Sequence, residues 1–262
     1  MDFHLPKKKI FSAVLCGALM LSASVPAFAF SDSSIASSVF EENQMAVEQA
    51  AAAGNGADLS QSPYVLKRLG LVAGNDKGDL MLDKVGTRAE ALTLFISMQG
   101  EQDEARAVDY SYPFTDIPDW FHWCAGYGVF RSYTSGISAT KFGSFNTVTP
   151  EQYMTFTLKA LDYKCGEDFT WDRSLDKAIE IGLCTRAQAD AWKNGQFRRQ
   201  EIMEISYLAL NTKVKGGNST LTDKLIAKGK ITTEQARQES LTFGTAYQAQ
   251  QEQNNASPIT CT

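Results

Sequence analysis

The chain has 262 residues, of which 44% are hydrophobic and 21% are charged. This composition is typical of a globular protein and excludes a disordered polyelectrolyte or a long coiled coil. The formal net charge is −5 at pH 7 and there is no long lysine or arginine run, which excludes a protein that binds nucleic acid or anionic membranes through a basic surface. Only two histidines occur, His4 and His122, so zinc chemistry based on several histidines is also excluded.

Residues 1–29 have the three parts of a secretory signal peptide. Lysines at positions 7–9 precede an apolar stretch over residues 10–25, and Ala27-Phe28-Ala29 gives the small-residue pattern of a cleavage site. The apolar stretch is shorter than the roughly 20 residues of a membrane-spanning helix, and no later segment is apolar enough to span a membrane. We therefore predict an exported protein that has no membrane span after signal cleavage.

Four cysteines follow the predicted cleavage site, namely Cys124, Cys165, Cys184 and Cys261. They allow three disulfide pairings, and the sequence does not select among them. Cys124 and Cys184 lie in apolar segments, which favours buried free thiols at these two positions. No cluster of histidine, cysteine and carboxylate has the spacing of a ligand set, so we predict neither a metal nor a cofactor.

Residues 30–60 are rich in serine, alanine and glutamine and predict an N-terminal helical or linker segment. Beyond them the chain repeats a pattern of helix, turn, polar loop and second helix. The second helices begin at Thr87-Arg88-Ala89-Glu90, Thr149-Pro150-Glu151-Gln152 and Arg198-Arg199-Gln200-Glu201. We predict repeats over 61–105, 106–163 and 164–232, followed by a C-terminal helix or disordered tail over 233–262.

The three copies share their internal spacing and their apolar positions. The turn precedes the second helix by 18, 18 and 17 residues in the pairs Gly70–Arg88, Ser132–Pro150 and Gly182–Arg199. Four helix positions are apolar in every copy: Ala91, Tyr153 and Ile202; Leu92, Met154 and Met203; Leu94, Phe156 and Ile205; Met98, Ala160 and Ala209. Such columns predict one buried face per helix. We therefore predict an all-α protein of three helix-loop-helix repeats packed with pseudo-threefold symmetry.

These units resemble S-layer homology repeats. The resemblance rests on Thr87-Arg88-Ala89-Glu90 in the first copy, on Phe114-Thr115-Asp116-Ile117 with Trp120 and the loop 136–143 in the second, and on Phe169-Thr170-Trp171-Asp172, Ile181-Gly182-Leu183 and Arg199-Gln200-Glu201 in the third. It covers about residues 60–232. It implies a secreted, surface-layer-associated protein of the cell wall or cell surface. In that family, arginines in grooves between repeats bind an acidic, often pyruvylated, secondary cell-wall polysaccharide.

Thr87 and Glu90 have the spacing of a capping box, in which side chains and backbone donors at a helix start pair reciprocally. Thr149 and Gln152 repeat this spacing, with Pro150 at the first helical position, where a missing N–H costs nothing. We therefore interpret these two threonines, Glu90 and Gln152 as structural caps that need no ligand.

Arg88 and Arg199 need a different explanation, because a cation at a helix N-terminus opposes the helix dipole unless an anion lies there. We predict that free backbone donors and the guanidinium hold a carboxylate of the polysaccharide at these positions. The resemblance adds further candidate polysaccharide-binding residues, namely Gly74, Gly136 and Trp123. Pro150 departs from the family arginine, so the second copy should lack its anion site. Arg186 is interpreted as part of a helix start inside the third loop.

The remaining aromatic and acidic candidates are interpreted as structural. Trp120 and Trp171 are expected to fill the junctions between repeats, because large aromatic side chains dominate core packing. Trp123 and His122 replace polar family positions and are expected to be exposed. Asp116 and Asp172 could suggest a glycosidase pair, but a carboxylate at a helix-entry turn caps backbone donors, which we favour here.

The sequence therefore predicts a non-catalytic surface module that binds cell-wall polysaccharide and anchors the protein to the wall. The predicted partner is this polysaccharide, and a protein partner at the cell surface is left open. One alternative is a structural or assembly protein whose degenerate repeats have lost glycan binding. Another is a secreted glycan hydrolase with paired carboxylates.

Overall fold

The computed structural model describes residues 59–242, which all belong to one compact unit of the chain. The predicted signal peptide, residues 30–58, Cys261 and residues 243–262 of the tail lie outside the described residues. Between residues 59 and 242 the regular structure is helical, and extended backbone pairs only in isolated bridges. The all-α prediction is confirmed.

The helices of the described range are α1 (Ser62–Arg68), α2 (Arg88–Met98), α3 (Gln102–Ala107), α4 (His122–Phe130), α5 (Pro150–Ala160), α6 (Ser174–Glu180), α7 (Arg186–Asn194), α8 (Arg199–Leu210), α9 (Leu221–Ala227) and α10 (Thr233–Gln238). Short 3₁₀ turns precede α1, α4 and α6, over Leu59–Gln61, Asp119–Phe121 and Trp171–Arg173. None of these helices has the length and apolar character needed to cross a bilayer.

The predicted capping boxes start two of the helices. At α2 the Thr87 hydroxyl accepts from the Glu90 backbone N–H at 3.3 Å, and Glu90 Oε2 accepts from the Thr87 N–H at 2.9 Å. At α5 the same two contacts between Thr149 and Gln152 are both 3.3 Å, and Pro150 is the first helical residue. Both predicted capping boxes are therefore present in the structure.

The second helices of the predicted repeats, α2, α5 and α8, form the centre of the core, with α5 in contact with both of the others. The predicted columns are buried at all positions except Phe156, which is half-buried. Its ring stacks on that of Phe95 with centroids 5.0 Å apart, and Tyr153 Oη lies 2.5 Å from Ser206 Oγ, which links α5 to α8. The apolar columns are thus confirmed, and their threefold symmetry stays a prediction.

The helix pair α9–α10 repeats the local structure of α6–α7. In each pair the connecting turn contains a glycine with positive φ, which is 72° at Gly182 and 67° at Gly229. A threonine and a glutamine then form a capping box at the second helix, and these residues are Thr185 with Gln188 and Thr232 with Gln235. The predicted helix start inside the third loop is confirmed. The C-terminal pair follows the same plan, and its second helix lies in the segment predicted as a C-terminal helix or disordered tail.

Candidate functional site

Arg199, the first residue of α8, joins the third predicted repeat to the loop of the first. Its backbone N–H donates to the carbonyl oxygen of Lys84 at 2.8 Å, and its side-chain Nε donates to that of Leu80 at 2.7 Å. Its guanidinium also pairs with the carboxylate of Glu90 in α2, and only 9% of the residue is exposed. Arg199 is therefore a buried residue whose charge is neutralised by this chain itself.

Arg88, the first residue of α2, joins the first predicted repeat to the loop of the second. Its backbone N–H donates to the carbonyl oxygen of Asn146 at 2.9 Å, and its Nε donates to that of Phe142 at 3.3 Å. The guanidinium carbon lies 5.2 Å from the centre of the Phe142 ring. Arg88 is half-buried, desolvation lowers its pKa, and no carboxylate between residues 59 and 242 pairs with it.

The two interfaces have the same register. In each interface, the residue whose carbonyl accepts from the arginine Nε comes four positions before the residue whose carbonyl accepts from the arginine backbone N–H. The backbone N–H of the residue after the arginine donates to the carbonyl of the residue midway between these two. These midway contacts, both 3.2 Å, are Ala89 to Ser144 and Gln200 to Leu82. The backbone donors are therefore occupied, and the prediction that free donors at these helix starts hold an anion is wrong. At Arg88 the two Nη groups remain as donors without a partner in the described chain.

Asp116 shapes the loop on which Arg88 rests. Its Oδ1 accepts from the backbone N–H of Phe142 and its Oδ2 from that of Gly143, both at 2.8 Å. Desolvation raises the pKa of this carboxyl, but the backbone hydrogen bonds together outweigh that effect and lower it. We expected Asp116 to cap a helix entry, but it caps this distant loop instead. Asp172 is exposed in its 3₁₀ turn.

The candidate glycines are required by the shapes of their loops. Gly136 has φ of 76°, and a Cβ there would lie 2.6 Å from the carbonyl oxygen of Lys141 and 2.5 Å from the ring of Phe114. A Cβ on Gly74 would lie 2.4 Å from the carbonyl carbon of Gly78. Backbone geometry thus accounts for both glycines, and their contribution to polysaccharide binding stays a prediction.

Trp120 and Trp171 do not fill the junctions between repeats, so that prediction is wrong. The two residues are 49% and 59% exposed. Both lie in 3₁₀ turns at helix entries, where a neighbouring phenylalanine occupies the core in their place. These phenylalanines are Phe121 and Phe169, with exposures of 0% and 8%.

The other ring candidates, Trp123 and His122, lie side by side at the start of α4. Trp123 was expected to be exposed but is half-buried, and the guanidinium carbon of Arg106 lies 3.9 Å from the centre of its ring. His122 is exposed, as expected, with Nδ1 3.4 Å from a carboxylate oxygen of Asp109. Arg106 therefore covers one face of the Trp123 ring, and that face is closed to a ligand.

A cleft of about 350 Å³ lies between α7 and the start of α8, and the sequence analysis did not predict it. It is lined by Ala191, Trp192, Gly195, Gln196, Arg198, Glu201 and Glu204. Glu204 is half-buried, and desolvation raises its pKa. The cleft depends on α7, the additional helix of the third loop, and no periodicity of the sequence indicates how that helix packs.

The thiols Cys124 and Cys184 are free and buried, as predicted, and burial raises the pKa of each to about 12. Cys165 is a free, exposed thiol. A pairing that involves Cys261 lies outside the described residues.

No protein-family model matches this chain. It is, however, similar to two bacterial surface proteins. The middle cell wall protein of Brevibacillus brevis is 28% identical over 201 residues, which are 76% of this chain and 18% of that protein. The surface layer protein of Brevibacillus choshinensis is 28% identical over 183 residues, which are 69% of this chain and 15% of that protein.

The chain spans less than a fifth of the length of either relative. These similarities support a cell-surface protein of the surface-layer type. They confirm the predicted location at the cell wall or cell surface.

Proposed function

We propose that this chain is a non-catalytic surface module that binds an acidic secondary cell-wall polysaccharide through Arg88. The observation that carries the proposal is the half-buried guanidinium of Arg88, which has no carboxylate partner in residues 59–242. A charge that has lost part of its hydration favours a bound counterion. The planar guanidinium can hold a carboxylate, such as that of a pyruvylated sugar, through two parallel hydrogen bonds.

The proposal keeps the division into three repeats of the S-layer homology type, over 61–105, 106–163 and 164–232, behind a signal peptide over 1–29. It is supported by the shared register of the Arg88 and Arg199 interfaces, since unrelated segments would not place donors and acceptors at matching positions. The two surface proteins that the chain resembles fit a wall partner.

Arg88 is the principal binding residue in this proposal, and Arg199 contributes less. Arg199 is already paired with Glu90, so a ligand carboxylate would have to displace an internal one. Pro150 lacks a charged side chain at the corresponding position of the second repeat. We assign at most minor contributions to Gly74, Gly136 and Trp123.

The test is co-sedimentation with purified cell walls, with and without their secondary polysaccharide. We expect Arg88→Ala to lose about ten- to a hundredfold in affinity, because a charge-assisted hydrogen bond contributes roughly 1.5–3 kcal/mol. Arg88→Lys should recover only part of the loss, since an ammonium lacks the two-point geometry. Arg186→Ala is the matched control, because Arg186 also starts a helix but is exposed and paired with Asp176. Equal affinity of wild type and Arg88→Ala for the purified polymer would overturn the proposal.

A second candidate function is a role in envelope assembly without glycan binding. Pro150 and the Arg199–Glu90 pair favour it, because they leave two of the three corresponding positions without a free cation. Wall binding that persists after the polysaccharide has been removed would support this function.

For the hydrolase alternative, the cleft beside α7 offers the carboxylates Glu201 and Glu204. These carboxylates lie within one turn of the same helix, whereas glycosidases flank the scissile bond with two carboxylates. We therefore keep the non-catalytic proposal, which release of sugar from purified wall polymer would contradict.

A further inference from the structure

The shared register of the two arginine interfaces identifies a partner position for each guanidinium. Arg199 donates through Nε to Leu80, and its ion-pair partner Glu90 comes ten residues after Leu80. Arg88 donates through Nε to Phe142, and the residue ten positions after Phe142 is Gln152. Glu90 and Gln152 are also the third residues of α2 and α5, each in a capping box. Gln152 therefore corresponds to the carboxylate that neutralises Arg199.

Glutamate and glutamine present different atoms at this position. Glu90 caps its helix through Oε2, which accepts from Thr87 at 2.9 Å, and uses Oε1 for Arg199. Gln152 caps its helix through Oε1, which accepts from the backbone N–H of Thr149 at 3.3 Å. Because only the amide oxygen can accept that bond, the group corresponding to Oε1 of Glu90 is the Nε2 donor. An acceptor of the first interface is thus replaced by a donor in the second.

We propose that Gln152 is a binding residue as well as a helix cap, and that its Nε2 and the guanidinium of Arg88 together hold one carboxylate of the ligand. The ligand class rests on the function proposed above. In this arrangement two donor groups face one ligand group, which selects an anion and rejects a cation. At this position a glutamate pairs with Arg199 within the chain, whereas a glutamine leaves Arg88 available to a ligand carboxylate.

The decisive variant is Gln152→Glu, because a glutamate at position 152 keeps the cap, as Glu90 does, and supplies a carboxylate to Arg88. Gln188→Glu is the matched control, since Gln188 is the third residue of α7 and caps it in the same way. The direct measurement is a titration with pyruvate that follows the Nε–Hε signal of Arg88 by nuclear magnetic resonance. We expect pyruvate to shift this signal in the wild type and in Gln188→Glu. In Gln152→Glu we expect the apparent affinity for pyruvate, obtained from the same shift, to be at least tenfold lower. Identical responses in wild type and Gln152→Glu, or no response in either, overturn the inference.

Wall binding measured in parallel separates the inference from the proposed function. Gln152→Glu should lose at least tenfold in affinity for the purified polysaccharide, as Arg88→Ala does. If Arg88→Ala loses affinity and Gln152→Glu does not, the inference is wrong and the proposed function stands. If Arg88→Ala keeps wild-type affinity, the proposed function fails. The pyruvate titration then still decides whether the residue at position 152 determines anion binding by Arg88.

Discussion

The hydroxyl of Tyr133 donates a 2.7 Å hydrogen bond to Oε2 of Glu101, a carboxylate that is only 7% exposed. Tyr127 donates to the same oxygen at 3.2 Å, and Arg131 donates to Oε1 at 3.1 Å. The ammonium of Lys228, which follows α9, lies 3.6 Å from Oε1. One buried carboxylate thus joins the end of α2 to α4 and to the C-terminal helix pair.

Replacement of Glu101 by glutamine should lower both the pKa of Tyr133 and the stability of the fold. Burial, together with the hydrogen bond to Glu101, raises the pKa of Tyr133 to about 12. Without the negative charge we expect that pKa to fall and the free energy of unfolding to drop by about 1–2 kcal/mol, because Arg131 and Lys228, both more than a third exposed, lose an anionic partner. Tyrosinate absorbance and urea unfolding measure the two effects, with the exposed Glu167→Gln as control. An unchanged tyrosine titration would contradict this account.

The same raised pKa predicts that stability falls in alkaline solution. The tyrosine of the unfolded chain loses its proton near pH 10, whereas Tyr133 of the folded protein holds its proton to about pH 12. Over that interval the folded state binds more protons than the unfolded state, so the free energy of unfolding decreases as pH rises. Urea unfolding of wild type and Glu101→Gln at several pH values between these limits should show a steeper decrease for the wild type. Parallel curves would show that Glu101 does not contribute to the raised tyrosine pKa.

Arg199→Ala should destabilise the protein far more than Arg88→Ala, although the two arginines occupy equivalent positions. Removal of Arg199 leaves the Glu90 carboxylate without its cation, and a broken buried ion pair costs about 3 kcal/mol. Removal of Arg88 leaves no carboxylate unpaired, so we expect a loss of about 1 kcal/mol from its hydrogen bond to Phe142. Thermal or urea unfolding of both variants tests this difference, and equal destabilisation would show that the Glu90 pair is not the cause.

Asp116→Asn should weaken the Arg88 loop at neutral pH and have less effect in acid. The amide keeps one acceptor oxygen, so the N–H of either Phe142 or Gly143 loses its partner, at a cost of about 2 kcal/mol. Because the folded-state pKa of Asp116 lies below its unfolded value of about 3.9, the contribution of the carboxylate is present above that pH and is lost as pH falls through the folded-state pKa. The stability difference between the two proteins should therefore shrink below about pH 4. A difference that is constant from pH 7 to pH 3 would exclude this charge effect.

Leu94→Asp should be more destabilising than Phe156→Asp, although both residues belong to one predicted column. Leu94 is 6% exposed, so a carboxylate there would be buried without a partner, at a cost of about 4 kcal/mol. Phe156 is half-buried, and an aspartate there can reach water, so we expect a smaller loss, due mainly to the stacking on Phe95. Urea unfolding ranks the two variants, and a Leu94→Asp protein of wild-type stability would contradict the assignment of the column.

The parts of the fold that depend on neighbouring residues could be predicted from the sequence. Thr87 caps α2 through a residue three positions away, and the buried faces of α2, α5 and α8 follow from helical periodicity. The state of the arginines could not be predicted in this way, because Arg199 and Glu90 are 109 positions apart. The exposure of Trp120 was missed for a related reason: the adjacent Phe121 fills the core, and composition alone does not show which of two neighbouring rings is buried.

The contact between Arg199 and Leu80 spans 119 positions and has a consequence for the order in which the protein folds. Until α8 has folded against the first predicted repeat, the carbonyl groups around Leu80 lack these donors. During that interval the first predicted repeat presents unpaired acceptors and part of an apolar face. The α8 helix of a second copy would fit these groups equally well. We therefore expect chains that fold close together to be prone to domain swapping, in which each completes its neighbour.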